Sequence, residues 1–258
     1  MSTITLKEHN IPVTLSEGLS EKQLLSFHPF NLRSIKIQSF DLFGGSRLGF
    51  VKLVAEVTNS ARERLPGAVF LRGPSVAMLV VLVPDDAPLE EGKADRYVLL
   101  TVQPRIAAGS LAFVELPAGM VDEAGNFAGT AAKEIKEELG LDIPESELRC
   151  LSELAAPRPS VAEVAAVKQT FNEEILPQAM FPSPGGCDEY VPIYMHERRV
   201  PRAQLSEWTG RLTGLRDHGE KITLKMVKMD DLWREGARDA KCLAALALWE
   251  GLQREGKL

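Results

Sequence analysis

The segment Val76-Ala77-Met78-Leu79-Val80-Val81-Leu82-Val83 constrains the fold more than any other stretch of the chain. An unbroken apolar run of this length reads as a strand buried on both faces. It is also the longest clean apolar run present, and a helix needs about 20 such residues to span a bilayer, so no transmembrane helix is expected. Around it lie segments of a different kind. Ser34–Phe40 and Leu48–Val57 alternate polar and apolar residues, as half-buried strands do, with Gly44-Gly45-Ser46 between them as the turn of a hairpin. Further strands are expected at Tyr97–Val102, Phe113–Pro117, Val191–His196 and Lys221–Met229, with a short one at Cys150–Leu154. Helices are expected at Asn126–Leu139, stopped by Gly140, and at Asp239–Arg254. A short helix is drawn at Ser20–Phe27 within an otherwise loose lead-in. Strands with few helices predict a mixed α/β or α+β sandwich.

Composition narrows the function. Against 36 Asp and Glu stand 30 Lys and Arg, a net charge of −6 and a pI near 5.4. That balance lacks the basic footprint of a non-specific nucleic-acid binder. Three widely spaced cysteines (Cys150, Cys187, Cys242) build neither a disulfide framework nor a zinc site and fit a reducing compartment. The opening residues have no apolar signal core and carry Glu8, so a cytoplasmic protein is expected.

The chemistry is concentrated in Gly119–Leu141. At about 100° per residue, Glu138 falls near 40° and Glu137 near −60° from Glu134, beside an apolar stripe of Ala131, Ala132, Ile135 and Leu139. The three carboxylates share one edge of a helix whose stripe docks on a sheet. A solvated face paired with Lys133 and Lys136 is one reading of this pattern. A divalent-metal site is the other. Two carboxylates about 5 Å apart repel by roughly 3 kcal/mol at an effective dielectric near 20, and Mg²⁺ on hard oxygen ligands reverses that sign.

The whole string resembles the Nudix box. Gly119 opens it, and Glu134, Ile135, Glu137, Glu138, Gly140 and Leu141 match its positions. Two positions depart: Lys133 stands where the family has Arg, and Gly125 where it has Glu, so the salt bridge that braces the loop in the family is lost. Phe113-Val-Glu115-Leu-Pro117-Ala118-Gly119 and Phe181-Pro-Ser183-Pro184-Gly185-Gly186-Cys187-Asp188-Glu189 resemble the ADP-ribose and ADP-sugar pyrophosphatase branch. Phe40–Gly44, Phe70–Pro74, Gly214–Glu220 and Asp239–Leu246 are similar to plant-type ADP-sugar diphosphatases. The resemblance runs from about Ile35 to Glu255, interrupted by an insertion at Arg158–Met180.

The resemblance implies a Nudix α/β/α sandwich over 69–258, a small antiparallel β-subdomain over 33–68 that dimerises, and a lead-in over 1–32. It implies hydrolysis of an ADP-sugar to AMP and a sugar phosphate, with two or more Mg²⁺ ions, or Mn²⁺ in their place. Glu134, Glu138 and Glu137 would ligate metal, Glu137 directly or through water, together with the Ala118 carbonyl. Glu189 would orient or deprotonate the attacking water, with Asp188 in reserve. Arg105, in a Gln-x-Arg segment, would grip phosphate through its guanidinium fork, and Arg72 and Arg216 are further phosphate candidates. His218 and Glu220 are weighed against ordinary loop roles, Phe43 as an adenine platform against hairpin packing, and Cys187 as an oxidation-sensitive thiol. Trp208, Trp233 and Trp249 are expected to pack the C-terminal region. The expected partners are a small nucleoside diphosphate sugar and a second copy of the chain, with no nucleic acid and no membrane. Rival readings are a Nudix-fold binding module, a hydrolase of another nucleotide such as a UDP-sugar, and a scaffold protein with an acidic helix.

Overall fold

A computed structural model of the chain describes residues 3–6, 11–14, 30–44, 47–87, 95–121, 126–156, 176–214 and 221–258. They fall into two compact units. The first takes in Met1–Pro74, Pro157–Pro177 and Phe181–Tyr190, and the second Ser75–Ala156, Gln178–Met180 and Val191–Leu258.

In the first unit the lead-in is more regular than expected. Its β1 (Thr3–Leu6) and β2 (Ile11–Thr14) pair antiparallel, with Thr3 opposite Thr14. The helix expected at Ser20–Phe27 lies outside the described residues. The hairpin forms as its alternation predicts, and runs longer: β3 (Asn31–Phe43) pairs antiparallel with β4 (Arg47–Thr58). Short strands β5 (Arg64–Leu65) and β6 (Ala68–Leu71) add to β4. Val51, Leu53, Ala55 and Val57 are buried while Lys52 and Glu56 are exposed, the period of a sheet packed on one face. Phe43 meets Phe50 edge-on with ring centroids 5.1 Å apart, so its place is hairpin packing.

The second unit is built on β7 (Ser75–Pro84), every residue of which is buried. Around it the sheet runs β11 (Arg149–Cys150), β12 (Ile193–Val200), β7, β8 (Tyr97–Arg105), β14 (Ile222–Lys228) and β13 (Leu212–Thr213). Two short strands close on it: β9 (Ser110–Glu115) pairs with β8, and β10 (Ala118–Met120) with β7. Only the β12–β7 pair is parallel among these. Alternate residues of β7 serve two cores. Ala77, Leu79, Val81 and Val83 pack beneath the C-terminal helix with Cys242, Ala245 and Leu252. Val76, Met78, Val80 and Leu82 pack with Ala131, Ile135 and Leu139 on the other face. Burial on both sides is why the run is unbroken rather than alternating, and the result is the expected α/β/α sandwich.

Among the described residues the α-helices are α1 (Phe127–Glu134), α2 (Leu151–Leu154), α3 (Arg202–Trp208), α4 (Leu232–Glu235) and α5 (Ala240–Arg254). Cys150–Leu154 is a strand only at Cys150, since Leu151 onward turns into α2. The helix α3, which the sequence reading left out, puts Leu205 and Trp208 into the second core. Trp249 packs as expected, but Trp233 is exposed and lies over its neighbour Arg234. No described helix is long and apolar enough to cross a membrane.

Candidate active site

Asn126 caps α1, its side chain accepting a hydrogen bond from the Gly129 amide at 3.0 Å. After Glu134 the helix widens into a π-turn over Ile135–Leu139, which Gly140 ends at φ 69°. The longer bonding step rotates Glu137 and Glu138 away from the positions a straight 100° wheel assigns them, and π-turns inside helices are frequent at functional sites. One consequence is burial. Glu138 is 2% exposed, so it lies under the neighbouring chain instead of projecting at the helix edge.

That neighbour is the start of β10. The Ala118 amide donates to Glu138 Oε2 at 3.2 Å. Glu134 reaches the next residue. A Cβ built on Gly119 would stand 2.0 Å from the Glu134 carboxyl carbon and Oε1, so only glycine leaves room for that carboxylate. Two carboxylates thus converge on the Ala118–Gly119 backbone. Glu137 is half-buried one residue before Glu138, and its carbonyl accepts from the Gly214 amide at 3.3 Å. Lys136 is turned outward to Asp142 at 3.1 Å, and Lys133 is exposed. Gly125 and the nearby Asp122 and Glu123 lie outside the described residues.

Hard carboxylate oxygens beside the start of a strand are the donor chemistry that suits Mg²⁺ or Mn²⁺. Among the described residues no three His, Cys, Asp or Glu side chains gather tightly enough to hold a metal by themselves. A cation bound on this edge would draw on Glu134 and Glu138 together with backbone oxygen and water, an arrangement that suits Mg²⁺.

Arg105 ends β8 after a register shift between Gln103 and Arg105. Its Nε donates to Glu115 Oε1 at 2.7 Å, and its side chain stays 42% exposed. Glu115 is buried and receives a second cation, Lys241 Nζ, at 3.0 Å. Lys241 also bonds Asp239 Oδ1 at 2.9 Å, and Asp239 Oδ2 accepts from the Leu116 amide at 2.9 Å. Burial alone pushes the Lys241 ammonium down, but Asp239 and Glu115 together outweigh it and hold its pKa above the ordinary lysine value. This cluster was missed from the sequence. Its one signal is a Glu interrupting the apolar stretch Phe113–Leu116.

The other predicted residues belong to the first unit. Arg72 Nη1 pairs with Glu189 Oε1 at 3.2 Å, while the Arg72 and Gly73 amides donate to Asp188 Oδ1 at 2.8 and 3.2 Å. Asp188 is therefore a loop staple. Arg72 Nε is buried without a hydrogen-bond partner among the described residues. Burial pushes the Cys187 thiol up, and the adjacent acids add to that, which disfavours the thiolate. Arg216, His218 and Glu220 lie outside the described residues, as does most of the Arg158–Met180 insertion.

A family model for the NUDIX domain matches residues 74–246. Nudix hydrolase 14, chloroplastic, of Arabidopsis thaliana is 35% identical over 239 residues, which cover 92% of this chain and 68% of that protein. A solved structure described as an ADP compounds hydrolase aligns over 88% of this chain and 99% of its own, at 18% identity and a TM-score of 0.49. The matched segment opens at β7 and closes within α5, so it holds the acidic helix, the glycine that seats its first carboxylate and the strand leading into both, and the chain belongs to the Nudix hydrolase family.

Proposed function

We propose that the protein hydrolyses the pyrophosphate bond of nucleoside diphosphate sugars, ADP-sugars foremost, releasing AMP and a sugar phosphate. The observation that carries this is the convergence of Glu134 and Glu138 on the Ala118–Gly119 backbone at the start of β10 in a Nudix chain. The substrate class rests on the Phe113–Gly119 and Phe181–Glu189 segments and their likeness to the ADP-sugar branch.

Negative phosphates repel an attacking water, and charge grows on the leaving phosphate as the P–O bond breaks. Mg²⁺, when bound, would supply charge neutralisation for the diphosphate. Glu134 and Glu138 would hold it, with the Ala118 carbonyl and Glu137 completing the donor set. Glu189 takes the proton of the attacking water, and Arg72 sets the direction of its carboxylate. The water oxygen bonds to one phosphorus while the bridging oxygen leaves with the electron pair on the other phosphate. Arg105 grips the diphosphate. A homodimer in a reducing, cytoplasmic setting completes the reading, and the free state of all three cysteines agrees with such a setting.

A panel of ADP-ribose, ADP-glucose, UDP-glucose and NADH with Mg²⁺, reading nucleotide release, tests it. ADP-sugars should be cleaved best. Glu189→Gln should lower kcat about 10²–10⁴-fold, and Glu138→Gln should lower kcat/KM about 10²–10³-fold, as loss of a preorganised electrostatic group does. Brisk ADP-sugar cleavage unaffected by either change overturns the site. Binding without release at any metal concentration favours the non-catalytic module. Sedimentation of a fully active monomer removes the dimer.

A further inference from the structure

We propose that Lys241 is a positioning residue: through Glu115 it fixes the arginine that faces the diphosphate, and through Asp239 it fixes the strand end that carries Ala118. The inference rests on the active-site reading above, and adds a residue remote from both the box and the substrate.

Lys241 stands half-buried on the first turn of α5, with Glu115 Oε2 at 3.0 Å and Asp239 Oδ1 at 2.9 Å. Each of those acids has a second task. Glu115 receives Arg105 Nε at 2.7 Å. Among the described residues the guanidinium is held at that one nitrogen, which leaves its terminal N–H groups for an anion, and a fork oriented in advance loses little entropy on binding. Asp239 accepts the Leu116 amide at 2.9 Å, two residues before Ala118, whose own amide seats Glu138 at 3.2 Å. Two cations and two carboxylates close this cluster with no net charge. Glu115 and Asp239 are buried, and buried carboxylates are costly unless paired. A purely structural tie between α5 and β9 needs neither an arginine at its outer end nor a bond to the amide that precedes the metal-side strand.

The two branches are separable. Inorganic pyrophosphate in EDTA, followed by calorimetry, reports the arginine branch without depending on base or sugar. Free Mn²⁺ followed by electron paramagnetic resonance reports the carboxylate branch without turnover. Lys241→Met should weaken both affinities about 10–100-fold, the scale on which residues supporting a ligand act. Glu115→Gln and Arg105→Lys should weaken pyrophosphate alone, and Asp239→Asn should weaken Mn²⁺ alone. Folded Lys241→Met binding both probes as wild type does overturns the inference, and so does wild type that binds no pyrophosphate. Should Lys241→Met fail to fold, the half-exposed Arg105→Lys decides: unchanged pyrophosphate affinity sinks the arginine branch, and the inference with it. A wild type that cleaves no ADP-sugar yet shows the split between branches loses the proposed substrate and keeps Lys241.

Discussion

Glu115 and Glu138 are both buried in the second unit, but the chain places them by different means. Glu115 is met by two side-chain cations, Arg105 and Lys241. Glu138 is seated on a backbone amide, and Glu134 comes to rest on the next residue of the same strand. Glu115 thereby ties β8 and β9 to α5 through charge, while Glu134 and Glu138 meet on adjacent backbone positions, an arrangement of hard oxygens that suits a divalent cation. The difference also has a sequence side. The Glu134–Glu138 edge is written in one continuous string, whereas the Glu115 cluster joins residues from β8, β9 and α5.

The comparison can be pressed from each side. The largest effect on stability should come from Lys241→Met, which leaves buried carboxylates short of a cation and should cost about 3–5 kcal/mol at neutral pH. The Lys241 pKa lies above its ordinary 10.5. Its stabilisation is therefore complete below that pH and is lost as pH climbs through the higher folded value. Urea midpoints of wild type and variant should stay apart through neutral pH and draw together in strong alkali, and a gap that persists unchanged would mean the ammonium is not what stabilises. Next in size is Gly119→Ala. The added methyl meets the movable end of Glu134 rather than backbone, so stability should hold within about 1 kcal/mol while activity falls about 10–100-fold as that carboxylate is displaced. A variant equally active would show that Glu134 has no fixed seat. The smallest effect belongs to Asp142→Asn, which breaks the exposed pair with Lys136. It should shift stability by less than about 1 kcal/mol and leave turnover alone, and a large loss of rate would mean the outer face of the helix takes part.

Much of this was legible because local chemistry and burial agree. The β7 run announced its position, Asn126 and Gly140 bounded the acidic helix, and the alternation in β3 and β4 gave their hairpin. The π-turn was not legible, since a 100° wheel assumes the very geometry that Ile135–Leu139 abandons. Nor was the partner of Arg105. A guanidinium read as waiting for phosphate already holds Glu115, and Lys241, lying within an amphipathic helix, carried no sign of being drawn into the same cluster. Contacts that join distant strands leave no period in the sequence.

The parallel pairing of β12 with β7 has a kinetic consequence. Ile193 must find Ala77, and each of the pairs from Ala77–Ile193 to Pro84–Val200 joins residues far apart along the chain. The β3–β4 hairpin closes locally and at small entropic cost, while the central sheet waits on a long loop closure. Pairing with β8 and β10 closes over shorter spans, but until β12 arrives the other edge of the most apolar strand stays open, and such an edge favours aggregation of nascent chains.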